Sequence, residues 1–149
     1  MSLRLNLGCC DALLPGWVNV DLLPPADQIA DLRETWPWVD SSVDLVRAHD
    51  IIEHLPDKIH TMNELWRVLC PGGRAEIVVP TTDGPGAWQD PTHVSFWNRR
   101  SFLYFESGNY YRDRFAGRNG VRAAFRIIGE SLQQTTDGPK LTILLEAVK

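Results

Sequence analysis

Residues 3–22 read Leu3-Arg4-Leu5-Asn6-Leu7-Gly8-Cys9-Cys10-Asp11-Ala12-Leu13-Leu14-Pro15-Gly16-Trp17-Val18-Asn19-Val20-Asp21-Leu22. Leucines alternate with polar residues at 3, 5 and 7 and run into a turn at Gly8. A second apolar run, Val18 and Val20, ends on the carboxylate of Asp21. In a parallel α/β sheet, ligands bind outside the carboxyl ends of the strands. A glycine turn after one strand lets the backbone approach a ligand closely, and an acid after the next accepts hydrogen bonds from ribose hydroxyls. The stretch therefore predicts a parallel sheet that holds a nucleoside.

The rest of the chain extends this pattern. Further strands are expected at 28–32, 43–48 and 75–80. The runs Val43-Asp44-Leu45-Val46 and Ile77-Val78-Val79 are short and apolar, as buried parallel strands are. Two more strands, 125–133 and 141–148, flank the turn signal Thr135-Thr136-Asp137-Gly138-Pro139 and predict an antiparallel hairpin near one sheet edge. Ile59, Met62, Leu65, Trp66 and Leu69 recur at helical spacing and predict a helix over 58–69 with one apolar face. Pro56 and Asp57 favour its start, and Pro71-Gly72-Gly73 stops it. A shorter helix is expected at 101–105, capped by Ser101.

Only a short segment, 9–16, separates the first two strands, too few residues for a crossover helix. Residues 81–100 form a long irregular stretch leaving the carboxyl end of a strand, so they should overhang the ligand crevice as a lid.

At 149 residues the chain is expected to be one domain, 1–149, with a lid and acceptor region at about 81–120. Its formal net charge of −4, with no run of lysines and arginines, predicts no general nucleic-acid or anionic-membrane affinity. Three cysteines, two of them adjacent and with no CxxC pair, indicate neither a disulfide framework nor a zinc cluster. Without a signal peptide or a long apolar stretch, a cytoplasmic setting is the simplest expectation.

Taken together, the segments resemble the small class I S-adenosylmethionine-dependent methyltransferases, in the methyltransferase-11-like subgroup. Five stretches carry the resemblance, in family order. They are Leu5-Asn6-Leu7-Gly8-Cys9; Gly16-Trp17-Val18-Asn19-Val20-Asp21; and Ser42-Val43-Asp44-Leu45-Val46 with Ile51-Ile52-Glu53-His54-Leu55. The fourth is 64–73, Glu64 to Gly73, and the fifth is Asp90-Pro91-Thr92-His93 with Phe96 and Trp97. Two departures stand out: Cys10 occupies the second position of the family's Gly-x-Gly loop, and the helix many members place before the first strand is missing. The implied fold is a Rossmann-like α/β three-layer sandwich, a mostly parallel sheet ending in an antiparallel hairpin and shortened at the N-terminus. A dinucleotide-binding dehydrogenase would instead want G-x-G-x-x-G opening a helix, which the cysteines after Gly8 do not supply.

The resemblance also implies a cofactor, S-adenosyl-L-methionine, and residues that bind it. Asn6, Gly8 and Cys9 belong to the glycine loop, the latter two lining the methionine part. Asp21 would take the ribose hydroxyls and Asp31 the adenine amino group, with Leu22 and Leu32 against the base. His49 ends the fourth strand near the sulfonium. Asp21 and Asp31 also read as ordinary turn-starting aspartates, and His54 as a residue bonding backbone groups.

Within the lid, His93 is the candidate general base and Asp90 its orienting partner, since imidazole titrates near neutrality. A pair that merely pins the loop is the competing reading. Two such residues do not define a metal site, and no metal is expected. Trp88 and Trp97 line the acceptor pocket or pack the lid. Arg99, Arg100, Arg112, Arg114, Arg118 and Arg122 fit an anionic small-molecule acceptor or a solvated surface equally well. The expected function is methyl transfer to a small-molecule acceptor; the alternative is a non-catalytic cofactor-binding or regulatory subunit acting with a partner protein.

Overall fold

The computed structural model describes residues 2–149. Seven strands form one sheet: β1 (Arg4–Leu7), β2 (Val18–Asp21), β3 (Gln28–Ile29), β4 (Val43–His49), β5 (Leu69–Pro80), β6 (Phe125–Thr135) and β7 (Gly138–Ala147). Their spatial order is β3-β2-β1-β4-β5-β7-β6. β1 to β5 run parallel, and β7 is antiparallel to both β5 and β6. The chain proceeds outward from β1 through β2 to β3, then returns to the other side of β1 with β4. The order therefore reverses between β1 and β4, and a crevice opens at such a switch point.

Register explains the core. Leu5 pairs with Val18 and Val46, and Leu7 with Val20 and Ala48. Val46 continues to Ala75 and Leu145, and Ala48 to Ile77 and Ile143. Side chains alternate across a strand, so these partners share one face. All but the half-buried Val18 are buried, as a continuous apolar layer. The residues of opposite parity, Arg47, Glu76 and Leu144, are only half-buried.

Helix α1 (Lys58–Val68) starts where Asp57 accepts a hydrogen bond from the His60 backbone N–H at 2.9 Å. It buries Met62, Leu65 and Val68. Its buried Asn63 donates to the Gly120 carbonyl and accepts from the backbone of Arg122 and Ala123. That amide ties α1 to the end of α3 (Tyr110–Asn119). Arg67 of α1 reaches Glu64, Asp40 and the carbonyls of Trp36 and Trp38, fastening the segment that returns from β3 to β4.

Several boundaries differ from the sequence expectation, each for a local reason. β3 stops at Ile29 because Asp31 accepts from the Arg33 backbone N–H and turns the chain. The helix ends at Val68, as expected ahead of Pro71-Gly72-Gly73, but β5 begins at once at Leu69 and carries that segment as an irregularity in the β4–β5 register. The short helix α2 (Arg99–Phe102) is capped by Asn98, which accepts from Arg100 and Ser101 N–H while Ser101 Oγ accepts from Asn98. α3 was not expected: it buries no residue, so no apolar periodicity marks it. Trp66, expected in the core, is only partly buried and donates its indole N–H to the Val148 carbonyl.

Candidate functional site

The glycine turn is built as expected of a close backbone approach. Gly8 has φ +63°, and a Cβ there would lie 2.7 Å from Ile51 side-chain carbons. Both the left-handed conformation and the Ile51 contact therefore demand glycine. Cys10 takes up a left-handed conformation too, at φ 48°, so the position shares the backbone demand of the family's second glycine while bearing a side chain. That side chain is exposed, whereas Cys9 is buried. Asp21, at the end of β2, accepts from the Cys10 N–H at 2.8 Å and the Leu22 N–H at 2.7 Å. The carboxylate thus holds the glycine loop against the strand that carries it.

Gly8, Asp21, Leu22, Asp31 and Leu32 line one cleft, joined by Ile51, His54 and Leu55. Five of the eight residues that the resemblance assigns to the cofactor therefore converge. Asp31 is held by Arg33 through two short contacts, 2.8 and 2.6 Å, and the Arg33 side chain holds its carboxyl down at about 2. Any ligand group that reaches Asp31 meets an acceptor already engaged by a cation.

The structure does not bring Asn6, Cys9 and His49 to this cleft. Asn6 is fully buried; its amide donates to Ala12 O and Asn19 Oδ1 and accepts from Arg47. Its work is to fasten the loop 9–16 under the sheet end. The Cys9 thiol is raised above its ordinary value by burial first and by Asp21 second. His49 Nε2 lies 2.5 Å from Glu76 Oε1, and residue parity puts both on the half-open sheet face.

A second cleft, ≈ 300 Å³, adjoins the first and shares His54 with it. It is lined by Asp50, Glu53, Asp90, His93 and Lys140, among others. Asp50, with φ 51° just past β4, pairs with Lys140 at 2.8 Å. Glu53 sits on a single helical turn, Ile52–His54, and is 2% exposed. Its Oε2 has no hydrogen-bond partner among the described residues. Burial pushes the Glu53 carboxyl up to about 7, with the charges of Asp50 and Asp90 adding to the effect.

The lid segment is strapped down. Val94 and Ser95 N–H both donate to the Glu53 carbonyl, Ser95 Oγ donates to Ile52 O, and Thr82 N–H donates to Trp97 O. Lys58 Nζ bonds the Phe96 carbonyl. This places His93 against Glu53, with His93 Nε2 4.0 Å from Glu53 Oε1 and 3.7 Å from Asp90 Oδ2. Asp90 does not hydrogen-bond the ring; it accepts from Thr92 N and Oγ1, which hold its carboxyl below the usual range. The His93 ring is oriented instead by Ala87 O, 3.2 Å from Nδ1.

The tryptophans resolve toward packing. Trp88 stacks on Phe96 and is exposed, and Trp97 is fully buried against Phe102. None of the six arginines from 99 to 122 lines either cleft; Arg99 pairs with Glu130 and Arg100 with Tyr111. Sequence reasoning missed Glu53 as a site residue because an acid inside an apolar run carries no periodic signal. No helix among the described residues is long and apolar enough to cross a membrane.

Residues 5–77 match the methyltransferase domain family. Among solved structures, the chain is similar to a methyltransferase of Haloferax volcanii in complex with the Trm112 methyltransferase activator. The match has a TM-score of 0.69 at 17% identity, over 99% of this chain and 83% of that one. It is similar to the N-methyltransferase NodS of Bradyrhizobium japonicum, with TM-score 0.67, 13% identity and coverage of 99% and 86%. It is also similar to the 1,6-didemethyltoxoflavin N1-methyltransferase of Burkholderia thailandensis bound to 1,6-didemethyltoxoflavin and S-adenosylhomocysteine. There the TM-score is 0.65 at 12% identity, over 99% and 72%. No curated protein matches the sequence. Residues 5–77 belong to the class I methyltransferase family, and the whole chain has that family's Rossmann-like fold. The family's cofactor is S-adenosyl-L-methionine.

Proposed function

We propose that this chain, folded as one domain, catalyses methyl transfer from S-adenosylmethionine to a small-molecule acceptor. The observation that carries the reading is the meeting of two clefts at His54, beside the sheet's switch point. One cleft offers a ribose acceptor and apolar walls; the other is polar and roomy enough for a small molecule. When bound, the cofactor supplies a methyl group on a positively charged sulfur.

In this reading Asp21 accepts the ribose hydroxyls, and Leu22 and Leu32 flank the base. Asp31 receives the adenine amino group on a carboxylate that Arg33 keeps ionised. Gly8 leaves room for the methionine part by having no side chain. The segment 81–120 forms the acceptor side, where His93 presents its Nε2 lone pair and Asp90 its carboxylate. Alignment of the reacting atoms is worth roughly 7–11 kcal/mol in well-oriented systems. A base at His93 adds about 10²–10⁴-fold for an acceptor that must lose a proton. Lys140, paired with Asp50, is the cation available in this cleft to an anionic acceptor.

A second reading has one observation in its favour. Beside the edge strand β3, Leu22, Leu23 and Ile29 are exposed, and one similar structure is a complex with an activator protein. In that reading the chain needs a partner for activity or serves as its cofactor-binding subunit. Methyl transfer by the isolated chain, assayed with labelled cofactor against a panel of hydroxyl, amine and carboxylate acceptors, supports the first reading. Cofactor binding with turnover only when a partner is added supports the second.

A further inference from the structure

We infer that Glu53, His54 and His93 form a site for a divalent first-row transition-metal ion, flanked by Asp90. Three separated observations converge on it, and none depends on the cofactor reading.

The first is proximity. One ligand-capable atom from each of Glu53, His54 and His93 lies within 4.8 Å of the others. Ligands held at about 2.0–2.2 Å from a zinc-sized ion sit roughly 3–4 Å apart, so small side-chain rotations close the ring. His93 is too far from Glu53 and Asp90, at 4.0 and 3.7 Å, to hydrogen-bond either of them. The cluster is not a hydrogen-bonded knot.

The second is the state of the imidazoles. His93 Nδ1 faces the Ala87 carbonyl at 3.2 Å. His54 Nδ1 faces the Thr92 carbonyl at 3.2 Å and Thr92 Oγ1 at 3.1 Å. A carbonyl oxygen only accepts, so both Nδ1 atoms carry the hydrogen, and in the neutral ring the lone pair falls to Nε2. An imidazole anchored through one nitrogen with the other free is the arrangement that orients metal-ligating histidines.

The third is the carboxylate. Glu53 is 2% exposed, yet its Oε2 has no hydrogen-bond partner among the described residues. Buried polar atoms are seldom left so, because the missing bond is costly. A cation held between the Glu53 carboxyl group and the two imidazoles would give that carboxyl a partner.

Local charge and rigidity agree. Lys140 is matched by Asp50, so the Glu53 and Asp90 carboxyl groups stand beside the two imidazoles with no other lysine or arginine among the described residues lining the cleft. The Val94 and Ser95 N–H bonds to the Glu53 carbonyl fix the two ligand-bearing segments against each other. Two nitrogens with one or two carboxylate oxygens favour zinc, cobalt or manganese over magnesium or calcium. The site opens into the ≈ 300 Å³ cleft, which leaves coordination positions for water or an oxygen-bearing acceptor. In sequence, Asp90 and His93 supply only two ligands; folding adds the other two. A bound ion occupies the lone pair that His93 would otherwise offer to a proton.

The test is titration of chelator-treated protein with Co²⁺, followed by visible absorption, and with Zn²⁺ and Mn²⁺ by calorimetry. Mg²⁺ serves as the hard-ion comparison. We expect one ion per chain, a ligand-field spectrum with Co²⁺, and weaker binding of Mg²⁺. Affinity should fall at least about tenfold in His54→Gln and in His93→Gln, and stay unchanged in His60→Gln, whose ring bonds the Glu34 carbonyl outside the cluster. Absence of saturable binding to folded wild-type protein would overturn the inference, as would equal affinity in the His54 and His93 variants. Should either variant fail to fold, the wild-type stoichiometry and spectrum decide alone. Titrating the same samples with S-adenosylmethionine separates the two claims: cofactor binding without metal binding removes only the site, and the reverse removes only the proposed function.

Discussion

The two clefts that meet at His54 are built in opposite ways. The cofactor-side cleft takes most of its walls from Gly8 and the short stretches 21–22 and 30–33, at or just past the ends of β1, β2 and β3. The acceptor-side cleft draws Asp50, Glu53, Asp90, His93, Asp137 and Lys140 from segments spread over ninety residues. In the first, position follows from local backbone geometry. In the second, it follows from long-range straps such as Val94 and Ser95 on Glu53, and Lys140 on Asp50. A site made of strand ends tolerates change outside it; one assembled by straps shares its fate with the fold.

The largest effect is expected of Asp21→Ala. If Asp21 binds the ribose, two hydrogen bonds to a charged carboxylate disappear, about 3 kcal/mol or more, and cofactor affinity falls at least roughly 100-fold. The chain should stay folded by circular dichroism, although the Cys10 and Leu22 N–H groups lose their acceptor. Unaltered affinity would remove Asp21 from the ribose role.

On the strapped side, Glu53 should make stability depend on pH. Burial raises its carboxyl to about 7, so between its unfolded value near 4.5 and that value the folded chain binds the proton more tightly than the unfolded one. Stability then falls as pH rises through that window, by about 3 kcal/mol in metal-free protein. Urea denaturation of Glu53→Gln should show this slope flattened; an identical slope would contradict the assignment.

Gly8→Ala sharpens the local side. A methyl group 2.7 Å from Ile51, on a left-handed backbone, should cost about 2 kcal/mol in denaturation and weaken cofactor binding as the loop shifts. The smallest effect is expected of Cys10→Gly. Removing a side chain at φ 48° should raise stability by up to about 1 kcal/mol without loss of affinity. A drop in stability would mean that the Cys10 side chain makes contacts that outweigh its strain.

Legibility in the sequence follows the same division. The strand order's ingredients, the glycine turn, the acid after β2 and the closing hairpin could all be read, because alternation and turn chemistry are local signals. Gly8, Asp21, Leu22, Asp31 and Leu32 do converge. Asn6 and His49 lie on strands of that motif, but side-chain alternation points Asn6 into a buried amide network and His49 toward Glu76. Helix α3 was illegible because it buries nothing, and Glu53 because its neighbours across the cleft lie some forty residues away. His54 reads as a backbone-bonding residue, and it is one through Thr92; only the fold reveals that it lines both clefts.

Everything proposed for the cofactor side requires that the cleft beside Gly8 and Asp21 bind S-adenosylmethionine. Calorimetric titration of the purified chain with S-adenosylmethionine, and separately with S-adenosylhomocysteine, tests it most directly. We expect saturable binding of both, one molecule per chain. No binding of either to a folded sample would contradict it and leave the glycine loop, with Cys10 in its second position, as a turn without a ligand.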